Sequence, residues 1–317
     1  MTFYLYSGAG NTFVVLDGRE IISEMEAETP EQEHCHCHEE EGHECGCHHE
    51  EGEHHCCHEG GGCCHGGGGT PWENYVQDVC GHFKTDGMML LLPSEHFDFE
   101  MAFFNPDGTG GMMCGNGGRC ITAFADYLGL VPASGVCTFR APDGLHRSVI
   151  LERDPDRWTI RLKMIDVEGV LPVHNGWFLN TGTRHLVRFV PDVDKVDIGR
   201  EGPLFRWDAA FAPVGTNVNF VQVAPDGLHI RTFEKGVEGE TLACGTGITA
   251  SAIAAFVAGI APASAPSEGT ALAASPSGTV SYRLQCRRGD WLSVDFQPGA
   301  GDTFRDVWLT GPAEFCD

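Results

Sequence analysis

Two stretches of the chain share one pattern: CGNGGRCITAFADYLG at residues 114–129 and CGTGITASAIAAFVAG at residues 244–259. Each begins with Cys-Gly-x-Gly, continues as an apolar segment of helical period and ends on a glycine. Since glycine commonly ends a helix, both stretches are predicted to be helices that begin directly after Cys114 and Cys244. Free N–H groups and the positive end of the dipole at such positions stabilise a thiolate and bind anionic ligands.

The two cysteines are candidates for a pair of thiols that face each other across one substrate. A thiolate on one side would remove a proton from a carbon, and the thiol opposite would return one, which inverts the stereocentre. A free cysteine outside such a frame is more often a small buried hydrophobe. That structural interpretation is kept for Cys80, Cys120, Cys137, Cys286 and Cys316.

The composition disfavours several classes of function. The formal net charge is −25, with 45 acidic and 20 basic residues, and this excess of negative charge disfavours nucleic acid and anionic membranes as partners. No signal-peptide pattern opens the sequence, and no apolar run has the roughly 20 residues of a spanning helix. We therefore expect a cytoplasmic enzyme with a small-molecule substrate. The sequence is compatible with a homodimer but does not fix the oligomeric state.

The sequence carries no motif for an organic cofactor. It contains neither a G-x-G-x-x-G that opens a helix after a strand nor a G-x-x-x-x-G-K-[ST]. None of the four lysines stands in a recognisable frame for a Schiff base. Catalysis is therefore expected to need no cofactor, and two helix N-termini would stabilise the charge that develops on a substrate carboxylate.

Residues 29–70 differ in composition from everything around them. The segment contains eight cysteines, ten histidines and ten glutamates, without lysine, arginine or any aliphatic residue. It is predicted to be a disordered insertion whose thiolates and imidazoles bind zinc or another soft transition metal. An expansion that binds metal only incidentally is an equal alternative. The candidate ligands, none of them catalytic, are His34, Cys35, His36, Cys37, Cys45, Cys47, Cys56, Cys57, Cys63 and Cys64.

Outside this insertion strands and turns dominate, and each half of the chain enters one strongly apolar helix. The predicted fold class is α+β, with two pseudo-symmetric lobes that each wrap a strand-rich sheet or barrel around a central helix. The active site is expected in the cleft between the lobes. Residues 1–150 with a strand at 304–317 are predicted to form the N-terminal lobe, and residues 151–303 the C-terminal lobe.

In its motifs the chain resembles the diaminopimelate epimerases, cofactor-independent enzymes that interconvert LL- and meso-diaminopimelate in lysine and peptidoglycan biosynthesis. The resemblance covers nearly the whole chain except the insertion. It depends on six motifs in this order: GAGNTF, FFNPDG, MCGNGGRC, GTNVNF, RTFEKGVEGET and ACGTG. Related racemases of proline and hydroxyproline usually carry CGHG in the first cysteine motif, so Asn116 favours the diaminopimelate branch.

The resemblance implies a role for each matching residue. Cys114 and Cys244 would be the acid–base pair, and His185 and Glu234 would lie beside the thiols and tune their pKa values. Without the resemblance, a strand histidine is more often structural and an asparagine beside glycine is usually a turn residue. The implied substrate-binding set is Asn11, Asn105, Gly115, Asn116, Thr183, Asn217, Glu234, Lys235, Gly245 and Thr246.

Three positions depart from the family pattern. Gly87 stands where glutamine is common, Thr183-Arg184 stands where Asn-Pro or Ser-Pro is common, and Lys235 stands where arginine is usual. Lysine lacks the bidentate fork with which arginine binds a carboxylate. These departures favour one alternative, a racemase or epimerase of another amino acid on the same fold. The composition of residues 29–70 leaves a second alternative open, a metal-buffering protein that uses this segment.

Overall fold

The computed structural model describes residues 2–20, 71–111, 114–263 and 278–316. Its main helices are α1 (Pro71–Phe83), α2 (Gly115–Tyr127), α3 (Ile198–Arg206) and α4 (Gly245–Val257). Its strands in chain order are β1 (Tyr4–Gly8), β2 (Asn11–Asp17), β3 (Met88–Leu92), β4 (Phe99–Phe104), β5 (Val136–Ala141), β6 (Gly144–Arg153), β7 (Arg157–Lys163), β8 (Leu171–Val173), β9 (Gly176–Asn180), β10 (Arg184–Phe189), β11 (Asn217–Ala224), β12 (Gly227–Glu234), β13 (Gly239–Thr241), β14 (Val280–Gln285), β15 (Trp291–Pro298) and β16 (Phe304–Cys316).

The first lobe is a closed barrel. Strands β1 to β7 are hydrogen-bonded neighbours in chain order, and β16 pairs with both β7 and β1 to close the ring. The pairs β2–β3 and β4–β5 are parallel, and the other pairs are antiparallel. A parallel pair needs a crossover connection, and α1 and α2 lie in the two crossovers.

The second lobe repeats this order of pairings. From β9 the successive neighbours are β10, β11, β12, β14, β15 and the first half of β16. The pairs β10–β11 and β12–β14 are parallel, and the other pairs are antiparallel. Helices α3 and α4 lie in the two crossovers, as α1 and α2 do in the first lobe. The two lobes are therefore two copies of one architecture.

Strand β16 belongs to both lobes. It pairs with β15 up to Thr310 and with β7 from Gly311 onward. Leu309, at this change of partner, lies beneath both central helices: a Cβ added at Gly115 or Gly245 would come within 3.1 Å of its side chain. The strand thus holds the starts of the two helices in one place.

The central helices α2 and α4 are enclosed by the sheets of their lobes. Residues 115–125 of α2 and residues 247–255 of α4 are buried. Their apolar side chains belong to one core cluster that runs through both lobes. A helix that is apolar around most of its circumference, as α4 is, requires such an enclosed position.

The predicted fold class is confirmed, since two strand-rich lobes of one architecture surround two buried helices. The domain limits at residues 150 and 303 stay a prediction. The insertion at residues 29–70 and its candidate metal ligands lie outside the described residues. Within the described ranges, we find no helix long and apolar enough to cross a membrane and no group of three metal-ligating side chains.

Candidate active site

A tight turn places Asn11 against the start of α2. Ala9 and Gly10 join β1 to β2 with positive φ angles of 57° and 105°, as in a type I′ hairpin turn. A Cβ added at Gly8 would lie 2.8 Å from the carbonyl oxygen of Asn116, so the turn packs directly on the helix. Asn116 Nδ2 donates to Asn11 Oδ1 at 2.6 Å. The two asparagines therefore form one hydrogen-bonded unit.

Cys114 caps the N-terminus of α2. The residue is partly buried, and its Sγ accepts a hydrogen bond from the backbone N–H of Gly117 at 3.2 Å. This satisfies one of the free N–H groups of the first turn. The sequence prediction of a thiol at a helix start is confirmed for this residue.

Cys244 occupies the same position on α4 with different partners. It is 7% exposed, and in the described part of the chain its thiol makes no capping hydrogen bond. Its Sγ lies 3.4 Å from the Thr246 hydroxyl. Gly247 is required here, because a Cβ would lie 2.4 Å from Oδ1 of Asn219. The second thiol is therefore more deeply buried than the first and has a side-chain hydroxyl as its neighbour.

The starts of the two helices face each other. A Cβ added at Gly245 would lie 3.3 Å from the Cα of Gly115, so a side chain at either glycine would separate the helices. Asn116 Nδ2 also donates to the carbonyl oxygen of Ala243 at 3.3 Å, which is a bond from the first lobe to the second. Both predicted cysteines thus stand at one junction between the lobes.

Burial raises the pKa of both thiols. For Cys114 the Gly117 N–H opposes this rise, and the nearby carboxyl group of Glu234 adds to it. For Cys244 burial raises the pKa, and the charges of Glu234 and Cys114 raise it further. The sequence predicted positions that stabilise a thiolate. The Gly117 N–H does act in that direction on Cys114, but the loss of water outweighs it.

Glu234 is the last residue of β12, and its charge raises the pKa of both thiols. Burial raises the pKa of its carboxyl group, and a hydrogen bond from the Thr241 hydroxyl to Oε2 at 2.9 Å opposes that rise. A partly buried carboxyl group with a raised pKa, whose charge acts on both thiols, influences whether either thiol ionises.

His185 is completely buried and held at both ring nitrogens. Asn219 Nδ2 donates to Nδ1 at 3.1 Å, which leaves the proton on Nε2. Nε2 lies 2.9 Å from the hydroxyls of both Thr183 and Thr246. Burial lowers the pKa of His185 to about 3, so the ring is neutral. The Thr246 hydroxyl links this ring to the thiol of Cys244.

Asn219 is a site residue that the sequence analysis missed. It is fully buried, its Nδ2 also donates to the Leu186 carbonyl at 3.1 Å, and its Oδ1 accepts from the Thr232 hydroxyl at 3.0 Å. These bonds fix the amide orientation and hence the tautomer of His185. A signal was present in GTNVNF, since residues two apart on a strand share one face.

Asn217 contacts three of the residues that depart from the family pattern. Its Nδ2 donates to the Thr183 hydroxyl at 3.2 Å and to the Arg184 carbonyl at 2.9 Å. Its Oδ1 accepts from the backbone N–H of Lys235 at 2.8 Å. The amide of Asn217 therefore ties the start of β10 to the end of β12 beside the site.

Asn105, a predicted binding residue, and Gly87, a departure from the family pattern, have different surroundings. Asn105 follows β4, and its Nδ2 donates to the Thr109 hydroxyl at 3.0 Å, within its own turn. Gly87 has no room for a side chain, since a Cβ would lie 2.8 Å from the carbonyl oxygen of Phe104. The glutamine that is common at this position would therefore require a shift of β4.

Solved structures share the fold. The chain aligns over 99% of its length with a phenazine biosynthesis protein of the PhzF family from Bacillus anthracis (TM-score 0.62, 12% identity, 96% of that chain). It aligns equally far with a probable proline racemase from Agrobacterium radiobacter (TM-score 0.55, 14% identity, 92% of that chain). A hydroxyproline epimerase from Agrobacterium vitis gives a TM-score of 0.54 at 14% identity over 90% of that chain. At these identities the likeness establishes the architecture alone.

Similarity to curated relatives places the protein among the isomerases, as an epimerase. A diaminopimelate epimerase from Flavobacterium psychrophilum is 39% identical over 244 residues, which are 76% of this chain and 86% of the relative. One from Aquifex aeolicus is 31% identical over 98% of this chain and 94% of the relative. The family model described as diaminopimelate epimerase matches residues 177–292. The chain belongs to the diaminopimelate epimerase family, and the resemblance inferred from the motifs is confirmed.

Proposed function

We propose that the protein converts LL-diaminopimelate to meso-diaminopimelate without a cofactor, with Cys114 and Cys244 as acid and base. One observation carries the proposal: the two cysteines precede two buried helices whose first residues, Gly115 and Gly245, are in contact. The name shared by the relatives supports the substrate. Such a reaction would supply the biosynthesis of lysine and peptidoglycan.

In the proposed reaction one cysteine is a thiolate and the other a thiol. The thiolate takes the α-proton, so that an S–H bond forms as the C–H bond breaks and the electron pair passes to the α-carbon and its carboxylate. The opposite thiol then gives its proton to the other face of the carbon. The enzyme is left with the two roles exchanged, which suits it to the reverse reaction.

Backbone N–H groups at the two helix starts would stabilise the carbanion. Gly115, Asn116, Gly245 and Thr246 are the first two residues of α2 and α4, where N–H groups have no partner within the helix. A substrate carboxylate between the two helix starts would accept hydrogen bonds from these N–H groups. The positive ends of both helix dipoles would also stabilise its charge. Fixed donors of this kind stabilise developing charge more strongly in a site without water.

We assign Glu234 and His185 the task of tuning the thiols. A carboxylate at Glu234 disfavours a negative charge on either sulfur, so its protonation state would decide how readily a thiolate forms. The neutral ring of His185 donates from Nε2 to a threonine hydroxyl, which leaves the Thr246 hydroxyl free to donate to Cys244. The second thiolate would thus be stabilised by a hydrogen bond instead of a charge.

The decisive experiment is incubation with LL-diaminopimelate in deuterated water. We expect meso-diaminopimelate that carries deuterium at the inverted α-carbon, since the proton delivered comes from a thiol that exchanges with solvent. A Cys114→Ala/Cys244→Ala double variant should give neither product nor deuteration, whereas Cys80→Ala, which removes a buried thiol in α1, should behave as the parent. Absence of both inversion and deuteration in the parent would overturn the proposal.

A second candidate is a racemase or epimerase of another amino acid on the same fold. It is favoured by Lys235 and by Gly87, where the chain has no space for the usual glutamine. A panel of amino acids tested by the same deuterium exchange would separate the two candidates. A kcat/KM at least about tenfold higher for another amino acid than for LL-diaminopimelate would favour this alternative, since one missing contact is worth about this factor.

A further inference from the structure

Arg119 lies fully buried one turn into α2, under the start of that helix. Its guanidinium donates from Nη1 to the Gly115 carbonyl at 3.0 Å, from Nη2 to Asn116 Oδ1 at 2.8 Å and from Nε to the Pro312 carbonyl at 3.0 Å. Glycine at position 311 makes room for it, since a Cβ there would lie 3.2 Å from Nε. The arginine therefore joins the helix start to the strand shared by both lobes.

All three acceptors of this guanidinium are neutral. Among the described residues, no carboxylate lies within ion-pair distance of Arg119, and the titratable groups that face it are Cys114, Cys120, Cys286 and Asp290. A buried charge without an ionic partner is costly in a protein interior. This cation lies directly under the predicted binding site for a substrate carboxylate and under the Cys114 thiol. The carboxylate and the thiolate are therefore the negative charges that would balance it.

The arginine also fixes the direction of a chain of hydrogen bonds. A guanidinium can only donate, so Asn116 must present its Oδ1 to Arg119 and its Nδ2 to Asn11. Asn11 then uses its Oδ1 as the acceptor. In the described part of the chain its Nδ2 makes no hydrogen bond, which leaves two N–H groups for an oxygen of the substrate.

We propose that Arg119 is a positioning residue for the epimerisation: through Asn116 it orients Asn11 so that the Asn11 amide donates toward the substrate, and it supplies the positive charge that favours an anion on the Cys114 side of the site. This inference rests on the proposed function, because it concerns the same two thiols. The groups that face Cys114 from the neighbouring elements are Glu234 on β12 and Cys244 before α4. Arg119 provides the positive charge among them.

The second lobe supplies a matched control. Thr249 stands five residues after Cys244, as Arg119 stands five residues after Cys114. Its hydroxyl donates to the Gly245 carbonyl at 3.0 Å, which is the counterpart of the bond from Arg119 to Gly115. Thr249→Val therefore removes an equivalent hydrogen bond without a change of charge.

The test measures the alkylation of each thiol by iodoacetamide as a function of pH, without substrate, with the two cysteines resolved by mass spectrometry. Arg119→Gln should raise the apparent pKa of Cys114 by about one unit and slow its alkylation about tenfold below that pKa, because a nearby opposite charge is lost. Cys244 is the internal reference and should change much less. Thr249→Val should leave the Cys114 profile as in the parent.

Arg119→Lys separates charge from geometry. It should keep the pH profile of Cys114, while KM for LL-diaminopimelate rises about tenfold, since an ammonium cannot reproduce the three directed bonds. If Arg119→Gln slows the alkylation of both thiols equally, the proposal is overturned, and Arg119 has only a structural role. If Arg119→Gln does not fold, a folded Arg119→Lys that loses the reactivity of Cys114 overturns it equally. The alkylation result holds whether or not LL-diaminopimelate is the substrate, so the two proposals can fail separately.

Discussion

Five residues after its cysteine the first lobe has Arg119, and the second lobe has Thr249. Both side chains bind the carbonyl of the glycine that follows the cysteine, yet only one carries a charge. The residue two positions after each cysteine differs as well. Asn116 donates a hydrogen bond across the lobes, whereas Thr246 contacts His185. The two copies therefore share a backbone and differ in the polar groups beside each thiol.

The same contrast continues at the ends of the strands. Strands β4 and β12 occupy equivalent places in the two lobes. Asn105 follows β4 and Glu234 ends β12, so one lobe contributes an amide and the other a carboxyl group. Strand register places Phe13 of the first lobe where the second lobe has His185. A duplicated scaffold is sufficient to put two thiols opposite each other. Unequal surroundings suit a substrate whose second, unreacting stereocentre makes the two faces of the reacting carbon inequivalent.

The largest expected effect tests whether both lobes take part in the chemistry. Cys114→Ala and Cys244→Ala should each reduce inversion by several orders of magnitude, because a positioned acid or base contributes roughly 10²–10⁴-fold and the pair acts as a unit. Each variant should keep some α-deuteration of only one epimer, and the two variants should favour opposite epimers. Near-parental inversion in either variant would contradict the two-base assignment.

The next effect concerns stability and is specific to the second lobe. His185 has its pKa lowered by burial from 6.5 to about 3, so the unfolded chain binds more protons in that range. The contribution of His185 to the free energy of unfolding should therefore be complete above pH 6.5. It should fall by a few kcal/mol as pH decreases toward 3. Urea titrations at several pH values measure this slope.

His185→Gln should flatten that slope, because the group that titrates differently in the two states is gone. The exposed His82, which precedes the end of α1, offers the matched control, and His82→Gln should keep the slope of the parent. Equal slopes in the parent and in His185→Gln would mean that the acid sensitivity has another origin. NMR of the ring nitrogens should show the Nε2–H tautomer near pH 7.

A smaller effect is expected at Lys235. Lys235→Arg should lower KM for LL-diaminopimelate about three- to tenfold, because a guanidinium binds a carboxylate through two parallel bonds. Lys195→Arg changes an exposed lysine that pairs with Asp192 and should leave KM unchanged. A higher KM in Lys235→Arg, together with better turnover of another amino acid by the parent, would identify the lysine as part of a different specificity.

The smallest effect on turnover is expected from the insertion. The second lobe connects β10 to α3 through residues 190–197, whereas the first lobe connects β2 to α1 through residues 18–70. Replacement of residues 31–69 by a short Gly/Ser linker should thus leave folding and metal-free turnover within about threefold, since a longer loop costs little additional loop-closure entropy.

The same deletion tests the metal-buffering alternative. Most zinc binding should disappear with the insertion, and binding by the parent should weaken at low pH as protons compete for thiolates. A folded deletion variant that loses turnover, while added metal restores activity only in the parent, would contradict the expectation that the segment is separate from catalysis.

Local sequence was sufficient to predict the helix limits. Gly129 and Gly259 have φ angles of 72° and 71°, the left-handed conformation that follows a helix end. The pairing order of the strands was not predictable in this way, because it depends on residues far apart in the chain. The roles of Arg119 and Asn219 were missed for a related reason: residue type does not reveal which polar side chain the fold will bury. The raised pKa of the thiols follows from that same burial.

The strand that both lobes share has a consequence for how the protein folds. Leu5 pairs with Cys316, so the first barrel closes only when residues about three hundred positions apart meet. During translation this barrel stays open until β16 has left the ribosome, even though its other seven strands are complete much earlier. Such high contact order predicts slow folding. It also predicts that a chain arrested before residue 304 exposes two sheet edges at which partially made chains can aggregate.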